Sequence, residues 1–596
     1  MSAAEMKQYY VGVDVGTEFA RACIIDKSGA ILATTQNPIS RSQPKHDHIT
    51  QSSSEIWGAV CKSVRAAVAE SQVAVDEVAG INFDATCSLV VLDEDSDGEV
   101  AVGPDFSDNR QNVILWMDHR AVAEASEINS TGHSVLRYVG GKMSVEMQMP
   151  KIKWLQRHMP RGEFAKCKFY DLPDFLTYQA TGIESRSFCS TVCKMGLVPN
   201  GVDSSTSGWS REFLEQIGLE ELCEDGFRRL GGALDEPGSE FRSAGEPVGL
   251  LSEAAAASLG LTPRCVVGSG VIDAYAGWVG TVGASPDGAR ESGGVEELAG
   301  RLAAVAGTST CLIMLSQTPH FVEGVWGPYR DVLARGYWCT EGGQSCTGAL
   351  LAHTLHTHPA YTELHQAAQQ RGLTDFDYIN WRLDKLRAET GARSIRALAK
   401  HRFLYGDYHG NRSPLADPSM RAAMVGLSMD VSQDDLALAV LTAFEFIALQ
   451  ARHILDHMAA AGLHVDTVYL SGGQARNPLL TQLLADAVRR PVVTPRHVGA
   501  AVVFGSALLA AAAVENYLAN TNATASSILP SSASRAPMHR LWQIMSRLTV
   551  PGNVVSPSPD ADPDIRLLEA KYKVFLEMAE AQKLYRKLVD DVENTP

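Results

Sequence analysis

The chain has 596 residues, 45% of them apolar, and a formal net charge of −17. This length exceeds what one hydrophobic core supports, so we expect at least two large domains. The negative charge, without any run of Lys and Arg, excludes nucleic acid as the expected partner.

The eleven cysteines lack the paired spacing of a metal site or a disulfide framework. We interpret them, Cys189 and Cys193 included, as free buried thiols of a reducing compartment. The N-terminus has no signal-peptide pattern, and we predict that no apolar run is long enough to span a bilayer. The expectation is a cytoplasmic protein with no membrane partner.

The first patterned stretch, residues 10–17, places two glycines and an aspartate between short β-branched runs. This pattern predicts a β-hairpin whose tight loop can approach a phosphate. Gly12 and Gly16 would leave backbone N–H groups uncovered for an anion. Asp14 supplies a carboxylate that suits hydrated Mg²⁺. We therefore ask whether later segments complete a nucleotide site.

Three later segments place polar side chains beside apolar runs, at residues 84–92, 114–121 and 186–194. The first segment suits a strand end that faces a polar ligand, or an ordinary turn with local hydrogen bonds. In the second, an aspartate and an arginine beside a tryptophan could hold a polyol, whereas the aspartate could equally cap a helix. In the third, a lone lysine such as Lys194 is most often a solvated surface residue.

A further carboxylate, Asp273, follows a buried strand and two glycines within residues 266–277. This order predicts a carboxylate at a helix N-terminus inside a cleft, or simply a capping aspartate. Residues 302–314 repeat the opening pattern, with Gly and hydroxyl side chains between two apolar runs. Residues 471–473, Ser-Gly-Gly, end another strand before a helix, where bare backbone could lie against a purine or an α-phosphate.

Composition divides the chain into five parts. The predicted parts are an N-terminal domain (8–283), a Gly-rich linker or insertion (284–300), a C-terminal domain (301–515), a poorly ordered Ser/Pro-rich segment (516–564) and an amphipathic C-terminal helix (565–592). Within the Ser/Pro-rich segment, only a short stretch around Trp542 is expected to be ordered.

These motifs together resemble those of the FGGY carbohydrate kinases over residues 8–515 and again at the C-terminal helix. The resemblance implies an α/β fold of two actin/hexokinase-like (ribonuclease H-like) ATPase domains with a cleft between them. A match to the second family signature is weakened by Thr442, which stands where an acidic or amide residue is usual. The segments that carry the resemblance are 14–17, 150–154, Asp273, 307–309 and 471–473.

The resemblance also implies roles for single residues in phosphoryl transfer from ATP. Asp273 would be the catalytic base, kept ionised by its helix N-terminus, and Asp14 would hold Mg²⁺ through water. The predicted phosphate and ATP contacts are Gly16, Thr17, Gly307, Thr308, Ser309, Gly472, Gly473 and Asn477. The predicted sugar contacts are Thr86, Cys87, Asp118, Arg120, Lys194 and Glu341.

Three segments, 84–90, 116–121 and 409–414, are most similar to the D-ribulokinase branch of that family. They imply ATP-dependent phosphorylation of the terminal hydroxyl of D-ribulose, which gives D-ribulose 5-phosphate. Kinases of D-xylulose or L-ribulose remain alternatives. A catalytically silent sugar or nucleotide sensor and an actin- or chaperone-type ATPase are alternatives of other classes. A homodimer is left open.

Overall fold

The computed structural model describes residues 8–202, 207–234, 236–285, 295–522 and 536–593. We call residues 8–285 the N-terminal half, residues 295–500 the C-terminal half and residues 536–593 the tail. Strands of the N-terminal half are β1 (Tyr9–Val15), β2 (Phe19–Ile25), β3 (Ile31–Pro38), β4 (Ser42–Lys45), β5 (His48–Gln51), β6 (Val78–Ala85), β7 (Leu89–Asp93), β8 (Val113–Ile114), β9 (Cys167–Asp171), β10 (Arg186–Ser187), β11 (Phe241–Arg242), β12 (Pro247–Leu250), β13 (Val266–Gly268) and β14 (Val271–Ile272). Its helices are α1 (Ser53–Ser71), α2 (Val122–Ser130), α3 (Gln148–His158), α4 (Leu172–Thr181), α5 (Phe188–Met195), α6 (Arg211–Gln216), α7 (Glu253–Leu259) and α8 (Asp273–Val282).

The remaining elements build the C-terminal half, the helix that leaves it and the tail. The strands are β15 (Arg301–Ala306), β16 (Thr310–Ser316), β17 (Trp326–Arg330), β18 (Trp338–Gln344), β19 (Phe403–Tyr405), β20 (Ala423–Val425), β21 (Thr467–Gly472), β22 (Val492–Thr494) and β23 (Asn553–Val555). The helices are α9 (Gly348–Thr357), α10 (Tyr361–Gln370), α11 (Asp375–Thr390), α12 (Ile395–Leu398), α13 (Gln433–Ala460), α14 (Pro478–Val488), α15 (Ala501–Asn522), α16 (Ala536–Leu548) and α17 (Pro563–Glu593).

The two halves repeat one topology. In the N-terminal half, β1 and β2 form the predicted antiparallel hairpin and β6 runs parallel to β1. In the C-terminal half, β15 and β16 form the same hairpin and β21 runs parallel to β15. Each set lies in a seven-stranded mixed sheet, one in the order β12-β13-β6-β1-β2-β3 with β14 on β6, the other in the order β17-β18-β16-β15-β21-β22-β23. This repeat confirms the predicted fold class, two actin/hexokinase-like α/β domains with a cleft between them.

Helix α15 packs against α8 and against the N-terminal sheet, although the chain enters it from the C-terminal half. At Gly12 and Gly280, an added Cβ would lie within 2.2 Å of backbone oxygen atoms of α15. No side chain fits there, so these glycines are needed for helix packing. Our interpretation of Gly12 as an anion-facing residue was therefore wrong. Helix α15, which ends the predicted 301–515 domain, packs mainly on the N-terminal half.

Two described helices pass the length and hydropathy test for a membrane span, Gln433–Ala460 and Ala501–Thr521. Our prediction that no apolar run is long enough was wrong for these segments. Most of each segment is buried inside the fold, where it contributes to the cores of the two halves. Burial of these two helices inside the fold is therefore enough to explain why they are apolar.

The tail contacts both halves. Residue Leu548 of α16 lies against Gly29 beside the N-terminal sheet, and β23 pairs antiparallel with β22 at the edge of the C-terminal sheet. In α17, a buried Lys571 Nζ donates to Glu445 Oε2 at 2.6 Å. The prediction of poor order for 516–564 was thus wrong for α15 up to Asn522 and for β23, because these segments pack on folded neighbours. Residues 523–535, and 286–294 of the predicted linker, lie outside the described residues.

Candidate active site

A cavity of about 480 Å³ opens between the two halves, and we call it the central cavity. It brings together most of the residues predicted from sequence, namely Asp14, Gly16, Thr17, Thr86, Cys87, Lys194, Asp273, Gly307, Thr308, Ser309 and Glu341. A second cavity of about 680 Å³, the lateral cavity, is lined only by residues between 306 and 480. Gly307 lines both cavities.

Two hairpin turns face each other across the central cavity. In the first turn, Gly16 N donates to Phe19 O at 3.0 Å, and Thr17 Oγ1 accepts from Trp116 Nε1 at 3.2 Å. In the second turn, Gly307 N donates to Ser309 O at 2.8 Å, and Gly307 is exposed. These two glycine N–H groups close their own turns, and each turn brings hydroxyl side chains to the cavity from one half, namely Thr17, Thr308 and Ser309.

Carboxylates converge below the first turn. Asp14 on β1 is in register with Asp84 on β6, and Arg21 Nη1 lies 3.5 Å from Asp14 Oδ2. Asp84 is fully buried and neither of its oxygens has a hydrogen-bond partner. Burial, with the charges of Asp14 and Asp273, raises the pKa of Asp84 well above its ordinary value. Asp84 lies at the start of the segment 84–92 but was not among our predicted site residues.

This group of carboxylates fits Mg²⁺ only in part. Among the described residues, no three His, Cys, Asp or Glu side chains are close enough to enclose a metal ion. Mg²⁺ is commonly held by one or two carboxylates together with phosphate oxygens and water. Asp14, beside the unpaired oxygens of Asp84, suits that mode of binding.

Asp273 begins α8, where its Oδ1 accepts from the backbone N–H of Ala274 at 2.7 Å. Burial and the charge of Asp14 raise its pKa to about 6, against the lowering effect of that hydrogen bond. We predicted that the helix N-terminus keeps Asp273 ionised; burial and the charge of Asp14 outweigh that effect on the pKa but do not raise the pKa above neutral pH. A carboxylate with a pKa of about 6 is ionised at neutral pH and still basic enough to accept a proton from a reacting alcohol.

A buried ion pair links the halves on the other side of the cavity. Lys194 on α5 lies 3.4 Å from Glu341 on β18, and Tyr275 donates to the same Glu341 oxygen at 2.8 Å. Burial alone would lower the pKa of Lys194, but Glu341 holds it above its ordinary value. Lys194 is therefore a buried cation of the cavity wall and not a solvated surface residue.

Asp118 and Arg120, predicted as sugar contacts, do not line the central cavity. Arg120 Nε and Nη2 donate to Asp118 at 2.9 and 2.7 Å, and neither side chain is exposed. Asp118 also accepts from the backbone N–H of Ile49. Because their polar groups serve each other and the backbone, the pair fixes the loop that carries Trp116 and Met117 into the cavity. The prediction for both residues was wrong.

The two predicted glycines after β21 separate in the structure. An added Cβ on Gly472 would lie 1.9 Å from Ala306 O, so this glycine allows β21 to lie against β15. Gly473 has open space at that position and lines the lateral cavity. Asn477 lines the same cavity, and its Oδ1 caps α14 while its buried Nδ2 has no partner. Gly473 and Asn477 thus remain candidates for nucleotide contacts, and Gly472 has a packing role.

Sequence profiles of a known family match both halves. The profile of the FGGY family of carbohydrate kinases, N-terminal domain, matches residues 9–280, and that of the C-terminal domain matches residues 302–514. The chain belongs to the FGGY family of carbohydrate kinases. This FGGY kinase is 48% identical to the D-ribulokinase of Saccharomyces cerevisiae over 99% of its own length and 94% of that protein. It is 38% identical to the human FGGY carbohydrate kinase domain-containing protein over 99% and 100% of the two chains.

Among solved structures, the FGGY kinase is similar to xylulose kinase from Rhodospirillum rubrum, with a TM-score of 0.69 and 18% identity over 97% and 99% of the two chains. This likeness supports the two-domain fold.

Several residues of the central cavity of this FGGY kinase were not predicted. Arg412 and Glu146 line it and form an ion pair, and Trp326 lies between the Arg412 and Lys194 cations. The only sequence signal for Arg412 was its place in the segment 409–414. Glu146 and Trp326 stand in stretches without a motif, so their roles emerge only when the halves are brought together.

Proposed function

We propose that this carbohydrate kinase transfers the γ-phosphoryl group of ATP to the terminal hydroxyl of D-ribulose, giving D-ribulose 5-phosphate and ADP. The observation that carries the proposal is the central cavity, in which two phosphate-type turns, a carboxylate base and a buried Lys–Glu pair line one space. The sugar is chosen on the 48% identity with the yeast D-ribulokinase.

The sugar end of the cavity suits a small polyol. Lys194 can donate and Glu341 can accept, as hydroxyl and carbonyl oxygens of a pentulose require. Thr86 adds a hydroxyl, and burial raises the pKa of the Cys87 thiol, so that it stays neutral. These groups surround the approach to Asp273.

In the transfer step, the terminal hydroxyl oxygen of the sugar forms a bond to the γ-phosphorus while the bond from that phosphorus to the oxygen of ADP breaks. The hydroxyl proton goes to the Asp273 carboxylate. The turns at Gly16-Thr17 and Gly307-Thr308-Ser309 hold the phosphates from opposite halves. Asp14, with Asp84 beside it, would hold Mg²⁺, which neutralises phosphate charge when bound.

The lateral cavity suits the adenosine part of ATP. Its wall carries the apolar side chains of Leu351, Leu355, Phe376 and Phe444, and Gly307 belongs to the walls of both cavities. A nucleotide that passes Gly307 would place its base in the lateral cavity and its phosphates between the two turns.

The test is ADP release by the purified chain with D-ribulose, L-ribulose, D-xylulose, ribitol and glycerol, followed by mass spectrometry of the product. We expect D-ribulose to give the highest kcat/KM. A higher value for another sugar would change the substrate but keep the kinase. Failure of every sugar to stimulate ADP release would favour a silent sensor and overturn the proposal.

A further inference from the structure

A second ion pair joins the halves at the sugar end of the central cavity. Arg412 Nη2, from the C-terminal half, donates to Glu146 Oε1 at 2.9 Å and to Oε2 at 3.0 Å, and Glu146 belongs to the N-terminal half. Their side chains are 8% and 16% exposed. Burial alone would raise the pKa of Glu146, but Arg412 and Lys194 hold it below its ordinary value. Both members of the pair are therefore charged.

The guanidinium of Arg412 keeps donors that the pair does not use. Its buried Nε has no hydrogen-bond partner, and Nη1 has only the sulfur of Cys311 at 3.8 Å. A buried N–H group without an acceptor is unfavourable, and a ligand oxygen is one way to satisfy such a group in a cavity wall. Arg412 lines the central cavity, so its guanidinium lies beside the space that an oxygen-rich ligand would occupy.

The surroundings hold this guanidinium in place. Gly343 on β18 leaves the space that Arg412 occupies, because an added Cβ would lie 3.0 Å from Arg412 Cδ and 3.1 Å from Nη1. The Trp326 ring lies on another side, 5.5 Å from the guanidinium carbon. The unused donors are therefore fixed in position, as recognition of a particular sugar oxygen requires.

A second Arg–Glu pair between the halves provides an internal comparison. Arg335 Nε donates to Glu246 Oε1 at 2.6 Å and Nη2 to Oε2 at 2.8 Å, and Nη2 also donates to Phe241 O. This pair does not line the central cavity, and its Nε is used. Of these two pairs, the one in the cavity wall leaves Nε without a partner, whereas Nε of Arg335 is used.

We propose, on the basis of the proposed function, that Arg412 binds the pentulose through its guanidinium group and that Glu146 is the positioning residue that orients it. Arg412 is then a sugar contact in addition to Lys194 and Glu341. Because the pair spans the cleft, binding of the sugar by Arg412 also favours the closed arrangement of the two halves.

The first arm of the test compares Arg412→Gln, Arg412→Lys and Glu146→Gln with wild type and with the matched control Arg335→Gln. We expect Arg412→Gln to raise the KM for D-ribulose at least tenfold, with the KM for ATP changed less than twofold. Glu146→Gln should raise the sugar KM about threefold. The sugar KM of Arg412→Lys should lie between those of wild type and Arg412→Gln. Arg335→Gln should change thermal stability but neither KM.

The second arm measures contact with the sugar itself, using ribitol and the 1-deoxy, 3-deoxy and 4-deoxy analogues of D-ribulose. In wild type, loss of the oxygen that Arg412 binds should lower kcat/KM at least tenfold. In Arg412→Lys and Arg412→Gln, kcat/KM for the same analogue should be at most threefold lower than kcat/KM for D-ribulose. A merely structural Arg412 would leave the penalty for every analogue unchanged.

The outcomes separate this inference from the proposed function. Normal wild-type turnover, with an unchanged sugar KM in Arg412→Gln or unchanged analogue penalties, would overturn the role of Arg412 alone. If wild type prefers another pentulose, the same comparison with that sugar and its deoxy analogues decides the inference. Wild type that turns over no pentulose would overturn the proposed function and this inference together.

Discussion

The central and lateral cavities are built in different ways. The central cavity takes charged side chains from both halves, and two Glu-containing ion pairs cross it. The lateral cavity takes its wall from the C-terminal half alone, mostly from apolar side chains and glycine. One cavity is therefore complete only when the halves meet, whereas the other is formed within a single half. This difference predicts which changes affect the sugar, the nucleotide or the chemical step.

The largest effect is expected from Asp273→Asn, which removes the proposed base from the central cavity. We expect kcat to fall by about 10²–10⁴-fold, the usual contribution of a general base. The affinity for ATP, measured by calorimetry, should remain within threefold of wild type because the lateral cavity is unchanged. Retained turnover in a folded variant would show that another group accepts the proton.

Removal of one member of a buried pair should come next. Lys194→Met leaves Glu341 buried with only Tyr275 as a partner, so we expect the free energy of unfolding to fall by about 3–5 kcal/mol. Urea denaturation monitored by circular dichroism measures this change. The double variant Lys194→Met/Glu341→Leu should recover part of the stability but not sugar phosphorylation. Recovery of both would show that the pair serves packing alone.

The pH dependence tests the same cavity without a mutation. Since Asp273 is protonated below its pKa of about 6, kcat/KM for the sugar should fall about tenfold for each pH unit below that value and level off above it. The residual rate of Asp273→Asn should show no such inflection. An identical inflection in that variant would assign the titration to another group.

The smallest effect is expected in the lateral cavity. Phe376→Ala removes a partly buried ring that lies 6.1 Å from Phe444. Loss of about 1 kcal/mol of apolar contact should raise the KM for ATP about fivefold, with the KM for D-ribulose unchanged. Steady-state kinetics with each substrate varied in turn measures both. An equal rise in the sugar KM would argue against the separate construction of the two cavities.

The contrast also explains which residues could be predicted from sequence. The turns at Gly16 and Gly307 were found because each stands in a local pattern of strand, glycine and strand. Gly12 and Gly472 carry the same local signal, but their surroundings show that they make room for α15 and β15. A glycine motif indicates close approach and does not say whether a ligand or the chain itself approaches.

Charged residues were harder to interpret for a related reason. Asp118 and Arg120 look like polyol ligands in sequence but satisfy each other two residues apart. Glu146 and Arg412 lie far apart in the chain and meet only across the cleft. Partners of a charged group depend on the tertiary fold, which local patterns do not contain. The fold class was predicted from the resemblance to the FGGY carbohydrate kinases, which rests on short local motifs that a sequence does contain.

Strand β23 has a consequence for any attempt to reduce this kinase to its family core. The family profiles end at residue 514, yet β23 supplies the outer strand that pairs with β22. A chain cut at that point would leave the backbone N–H and C=O groups of Val492 and Val493 on an open sheet edge. Unpaired edges of this kind join neighbouring molecules and promote aggregation. The tail therefore covers this sheet edge, and we expect a chain that ends at residue 514 to aggregate more readily than the full chain.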